Sequence, residues 1–220
     1  MTFKIDYPEL VELAAGSSHN RIILTIYYAA LLRYSTQDHL QELVKSKSIA
    51  TKKKLQVLCD HGYLVNNDGI FTATYKSLDF LEKQGYNRKL LPSPAKGAGV
   101  EIYNSDAICK LLQRPFYRSF LYPNFNYLMP DGLLVLADGD RYQLNFIEIE
   151  AKKPKWAEYL EAKRVNYERL ARDEIVYRYW QGIAPHVGLP CPPIEQFKFS
   201  VMCIGGLNAD WPGWTFKENV

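Results

Sequence analysis

Apolar and polar positions change their period along this chain, and the changes mark out its elements. Residues 21–33 (RIILTIYYAALLR) are apolar with helical spacing. Ser35 or Thr36 is placed to cap a second helix through Leu40, Leu43 and Val44, and Ser48 to cap a third through Leu55, Val57 and Leu58. Gly62 closes that third helix, as glycine does just past a last turn. Two β-prone runs, 63–65 and 70–74, flank Asn66-Asn67-Asp68-Gly69 and predict a hairpin, and 77–84 predicts a short helix after it. Beyond Pro92, Asn104 or Ser105 is expected to cap a helix through Ile108, Leu111 and Leu112. Strands are predicted over 116–121, 127–136 and 143–151, with Asp138-Gly139-Asp140 turning between the last two. A single helical pattern then runs over 156–180, and 197–204 reads as a final strand. The aromatic tail 211–216 is expected to pack back on its domain.

Residues 87–99 (NRKLLPSPAKGAG) lose periodicity to proline, glycine and small residues, which divides the chain into domains at 1–86 and 100–220 with a linker between. At 220 residues with 47% hydrophobic content, both parts can bury a core. No run approaches the roughly 18 apolar residues of a membrane span. The N-terminus lacks the layout of a secretory signal. Cys59, Cys109, Cys191 and Cys203 are scattered without a CxxC pair, so no zinc site is written in them, and they read as reduced cytosolic thiols. A net charge of +3 is mild, so its distribution carries more than its total.

Chemistry concentrates in two stretches. In the first, Lys45, Lys47, Lys52, Lys53 and Lys54 cluster at the start of the third helix, where lysines and a helix N-terminus both favour phosphate. In the second, Pro130-Asp131-Gly132 is followed one strand later by Phe146-Ile147-Glu148-Ile149-Glu150-Ala151-Lys152. Read as a strand, that run turns Glu148, Glu150 and Lys152 to one face and Ile147, Ile149 and Ala151 to a core. A neighbouring strand would bring Asp131 beside Glu150, and oxygen ligands with a lysine suit a hard cation and the water it activates. Taken singly, Asp131-Gly132 also fits an ordinary turn, and alternating charges fit an exposed strand edge.

Three helices and a hairpin with the segment Cys59-Asp60-His61-Gly62-Tyr63-Leu64 resemble a winged helix-turn-helix over roughly residues 15–86. That resemblance implies DNA contact through the third helix, although winged helices also serve as protein-docking modules. No side chain of that helix is an arginine-type base reader, which argues against sequence specificity.

Over roughly residues 100–206, the order helix, three strands, long helix, strand, with Pro130, Asp131, Glu150 and Lys152, resembles the PD-(D/E)xK nuclease superfamily. More narrowly, a winged helix before Pro130-Asp131-Gly132 and a helix carrying Lys163-x-x-x-Tyr167 look like the replication-relaxation family of mobile-element proteins. The expected fold is therefore α+β or α/β: a winged helix followed by a restriction-endonuclease-like αβββαβ domain with a mixed central sheet. The resemblance implies a DNA endonuclease in which Asp131, Glu150 and Lys152 are catalytic. Asp131, Glu150, the Ala151 carbonyl and Glu148 would hold Mg²⁺ or Mn²⁺, with Lys152 electrostatic rather than basic beside two carboxylates. Glu101 and Asp106 are the nearby acidic residues of the first helix. Lys163 and Tyr167, one turn apart, are read as phosphate contacts or as packing between helix and sheet. DNA is the expected partner, with a second copy or a recombination or replication protein besides, and no membrane. The alternative is a nuclease-like replication or recombination factor that has lost catalysis.

Overall fold

The structure, a computed structural model, describes residues 19–95, 102–139, 141–149, 156–205 and 209–217. Within them lie seven α-helices, a two-stranded hairpin and a five-stranded mixed sheet, an α+β arrangement. The chain divides into two compact units, up to Cys109 and from Lys110. No helix among the described residues is long and apolar enough to cross a membrane.

In the first unit, Ile22, Ile23, Ile26, Ala29 and Ala30 recur at helical spacing, so α1 (His19–Leu32) buries one stripe. Thr36 caps α2 (Gln37–Val44): its hydroxyl accepts the His39 amide while the His39 ring accepts the Thr36 amide, each at 3.3 Å. For α3 (Ser48–Asp60) the cap falls on Lys47 rather than Ser48, and no side chain caps it. Gly62, at φ +71°, ends α3: Tyr63 N–H donates to Leu58 C=O at 2.8 Å and Gly62 N–H to Cys59 C=O at 2.9 Å. The hairpin β1 (Leu64–Asn67) and β2 (Ile70–Ala73) turns on Asp68 and Gly69, both at positive φ, the two-residue turn that matches strand twist. Ser35 exchanges backbone bonds with Phe71 and ties the hairpin to the α1–α2 junction. Thr74 caps α4 (Tyr75–Lys83). Leu40, Leu55, Leu58, Tyr63, Leu78 and Phe80 join the α1 stripe in one core.

The helix expected to start at Asn104 or Ser105 is α5 (Ile102–Leu112), already helical at Ile102. Ser105 does not cap it; its hydroxyl donates to Leu32 C=O on α1 at 3.3 Å. Residues up to Cys109 thus belong with the first unit, whereas the composition change lies at 87–99.

The second unit is built on the sheet order β3 (Tyr117–Leu121), β4 (Gly132–Asp138), β5 (Arg141–Ile149), β6 (Ser200–Ile204), β7 (Trp214–Lys217). β3, β4 and β5 run antiparallel, and β6 and β7 run parallel to β5. The crossover from β5 to β6 carries two helices, α6 (Trp156–Arg172) and α7 (Ile175–Val187), where the sequence suggests one. Leu160, Lys163, Tyr167 and Leu170 form the buried stripe of α6; Val176, Trp180, Ala184 and Val187 form that of α7. The tail extends the sheet: Trp214 and Phe216 stack at 6.1 Å, and Trp214 meets Tyr167 edge-on at 5.5 Å.

Candidate functional site

β4 and β5 pair from Gly132↔Ile147, which sets Asp131 beside the last residues of β5. Its Oδ2 accepts the Ile149 backbone N–H at 2.7 Å, so the Asp131 carboxylate is oriented by the neighbouring strand. Gly132 has no room for a side chain as the sheet stands, since a Cβ there would lie 2.1 Å from Phe120 Cζ at the tip of the ring on β3. The glycine after Asp131 is therefore a steric requirement of the sheet rather than a turn device.

Glu148 differs from its expected setting. The alternating pattern leaves its face open, yet Leu144 to Ile149 are all buried, because β5 is a central strand and α6 covers the Glu148 side. The carboxylate is 1% exposed and both oxygens are engaged: Tyr167 Oη donates to Oε1 at 2.7 Å, and Lys163 Nζ donates to Oε2. Lys163 also lies over the Tyr159 ring, 4.9 Å from its centroid. Burial pushes Glu148 up to about 7; the Asp131 charge adds to the rise, while Lys163 and Tyr167 oppose it. For Lys163, burial works to lower the pKa, but the Glu148 and Asp131 charges outweigh it and hold the ammonium above its ordinary value. Burial, then Glu148, raises the Tyr167 phenol well above its usual range. The result is a carboxylate, an ammonium and a phenol locked under α6, with a second carboxylate close enough to be felt by all three.

Lys163 and Tyr167 therefore spend their polar ends on Glu148. Their four-residue spacing shows a shared helix face; what the sequence does not show is the buried carboxylate that face would meet. Asp106, one of the acidic residues of the first helix, accepts from His39 Nε2–H at 2.5 Å within the first unit, since His39 Nδ1 already accepts the Thr36 amide. Glu150, Ala151, Lys152 and Glu101 lie outside the described residues. Among the described residues no three His, Cys, Asp or Glu side chains gather as a metal cluster. The Asp131 carboxylate, oriented by the Ile149 amide, is a hard oxygen donor of the kind that Mg²⁺ takes. Glu148, bonded through both oxygens, does not fit that role in this arrangement.

The basic cluster divides by exposure. Lys45, at the C-cap of α2 with φ +51°, Lys47, Lys52 and Lys53 are exposed. Lys54 is buried on the core side of α3. A cavity of about 240 Å³ in the same unit runs between α3 and the hairpin, lined by Lys52, Gln56, Cys59 and Asn66 among others. In the second unit a larger cavity of about 400 Å³ has walls of Tyr167, Tyr177, Phe197, Phe199 and Trp214. Comparison with protein-family models, with curated proteins and with solved structures finds no match for this chain.

Proposed function

We propose that this protein is a metal-dependent nuclease, its second unit arranged as in the PD-(D/E)xK superfamily and its first unit a winged helix that binds DNA. The observation that carries the reading is Asp131, clamped to the Ile149 amide across β4 and β5, in a mixed sheet of the kind the resemblance implies. Helix, three antiparallel strands, a helical crossover and a parallel strand follow one another along the chain. Asp131 would hold the cation, with Glu150 and the Ala151 carbonyl as the ligands expected from the sequence. Bound there, Mg²⁺ supplies a Lewis acid and a water of lowered pKa. The chain's own part is to orient Asp131 by the β5 backbone and to keep Glu148 and Lys163 fixed behind it. Lys152, expected from the sequence, would supply positive charge toward the phosphoryl oxygens. Hydrolysis adds water across one P–O ester bond, leaving a phosphate on one fragment and a hydroxyl on the other.

One observation favours a second reading, a DNA-binding factor on a nuclease-like scaffold without catalysis. Glu148 is committed to Lys163 and Tyr167 as an internal anchor, so Asp131 is the ligand that remains among the described carboxylates of the site. Cleavage of supercoiled plasmid with Mg²⁺ or Mn²⁺ separates the two. Nicked or linear product that disappears with EDTA and in Asp131→Ala, Glu150→Ala and Lys152→Ala is expected. DNA binding without cleavage, on plasmid, branched and single-stranded substrates alike, gives the second reading instead.

A further inference from the structure

An ammonium buried without an opposite charge is costly, and Lys54 is only 4% exposed. From the seventh position of α3, its side chain runs back toward the helix N-terminus, as helical side chains do. There Nζ reaches Ser46 Oγ at 3.5 Å. That neutral hydroxyl, at the outer limit of hydrogen bonding, is its one hydrogen-bond partner among the described residues, while an ammonium carries three donors. No carboxylate among the described residues offsets it. The charge that acts on it is another cation, Arg21 of α1, and burial followed by Arg21 lowers its pKa.

The surroundings have the same sign. Lys45 and Lys47 flank Ser46 and are exposed, and Ser46 itself is half-buried, so the turn is open to solvent on its outer side. Lys47 caps α3 without a side-chain hydrogen bond. The first-turn amides of a 13-residue helix therefore lack the oxygen that a Ser, Thr or Asp cap would supply. A hydroxyl, a buried ammonium, flanking cations and an uncapped helix start converge on one turn. What they lack in common is an anion with several acceptor oxygens.

We propose that the α2–α3 turn is a phosphate-binding site, in which Lys54 Nζ and the Ser46 hydroxyl hold one phosphoryl group against the start of α3. It differs in kind from Lys52 and Lys53, which lie exposed on α3 and can follow any polyanion; Lys54 is fixed and selects one phosphate position. The inference rests on the proposed nucleic-acid contact only for the source of the phosphate, and cleavage plays no part in its test.

The test is thermal unfolding of the full chain in inorganic phosphate and in chloride at matched ionic strength. Phosphate is expected to raise the Tm of the wild type and of Lys83→Met, an exposed lysine of α4 outside the basic cluster, and to leave Lys54→Met unmoved. In chloride, Lys54→Met is expected to melt no lower than the wild type, since methionine fills the site without the buried charge. Ser46→Ala, a milder change, is expected to shift the phosphate midpoint to higher concentration with the fold intact. A phosphate-induced rise that persists in Lys54→Met, or that is missing in the wild type, overturns the proposal. So does a Lys54→Met that melts well below the wild type in chloride, which would mark Lys54 as a structural group. Anisotropy of a labelled DNA duplex identifies the source. A loss of about tenfold in Lys54→Met, with the salt slope reduced by about one, means a backbone phosphate. Unchanged duplex affinity beside a lost phosphate response means a free phosphate or small phosphorylated ligand.

Discussion

Glu148 holds the most consequential chemistry among the described residues because its protonation and its partners are coupled to folding. Its carboxyl is raised from 4.5 to about 7, which corresponds to about 3 kcal/mol between the protonation states. A folded-state pKa above the unfolded one means that folding takes up a proton. The contribution is fully present below about pH 4.5 and is lost as pH rises through about 7. Urea unfolding between pH 4.5 and 8 is expected to show this decline, and Glu148→Gln to flatten it; an unchanged slope in the variant would place the proton elsewhere. Lys163→Met removes the cation that opposes the rise, so Glu148 then keeps its proton to higher pH. At pH 8 the loss should be about 3–5 kcal/mol, the range for breaking a buried pair. At pH 5 it should be under about 2 kcal/mol, because the buried carboxyl neutralises itself. A loss independent of pH would mean that Lys163 matters for packing alone.

Between elements, close approach decides more than periodicity. The β3–β4 pair brings the Phe120 ring against Gly132, so Gly132→Ala inserts a methyl where there is no space. Overpacking of this kind costs about 1–3 kcal/mol. It also displaces Asp131, the adjacent residue, so chemical denaturation should show the loss and Mg²⁺ affinity should fall with it. Stability equal to the wild type would show that Phe120 has another rotamer within reach. The break between α6 and α7 has a similar origin. Glu174 adopts φ +54°, a left-handed conformation that costs a non-glycine residue about 1–2 kcal/mol, without a glycine or proline to announce it. The helical pattern of 156–180 continues across this point because both helices bury an apolar stripe, and a break changes the axis without changing the period. The Schellman ending of α3 and the Asp68-Gly69 turn were legible, since their glycines carry the geometry themselves.

For the whole molecule, the exposed cations of the first unit set what nucleic-acid association would look like. Lys45, Lys47, Lys52 and Lys53 are the exposed members of the basic cluster. If each neutralises one phosphate of a duplex, the affinity falls with salt at a log–log slope of about −4. Anisotropy titrations across salt concentrations measure this directly, and a slope near zero would remove the nucleic-acid reading altogether. The sequence by itself determined the helix–helix–helix–hairpin order, three strands with a hairpin turn between the last two, the helical crossover and the strand after it. Those follow from local period, caps and turn residues, which act over a few neighbours. It also singled out Asp131, and the Lys163–Tyr167 spacing on one helix face. Tertiary structure alone decided that Glu148 lies under α6 with both oxygens engaged, that Lys54 turns inward from its basic neighbours, and that Trp214–Lys217 pairs with β6 as a fifth strand. Each of these depends on which side of an element another element covers. A strand alternates its side chains by rule, but the burial of either face is set by partners that lie far away along the chain.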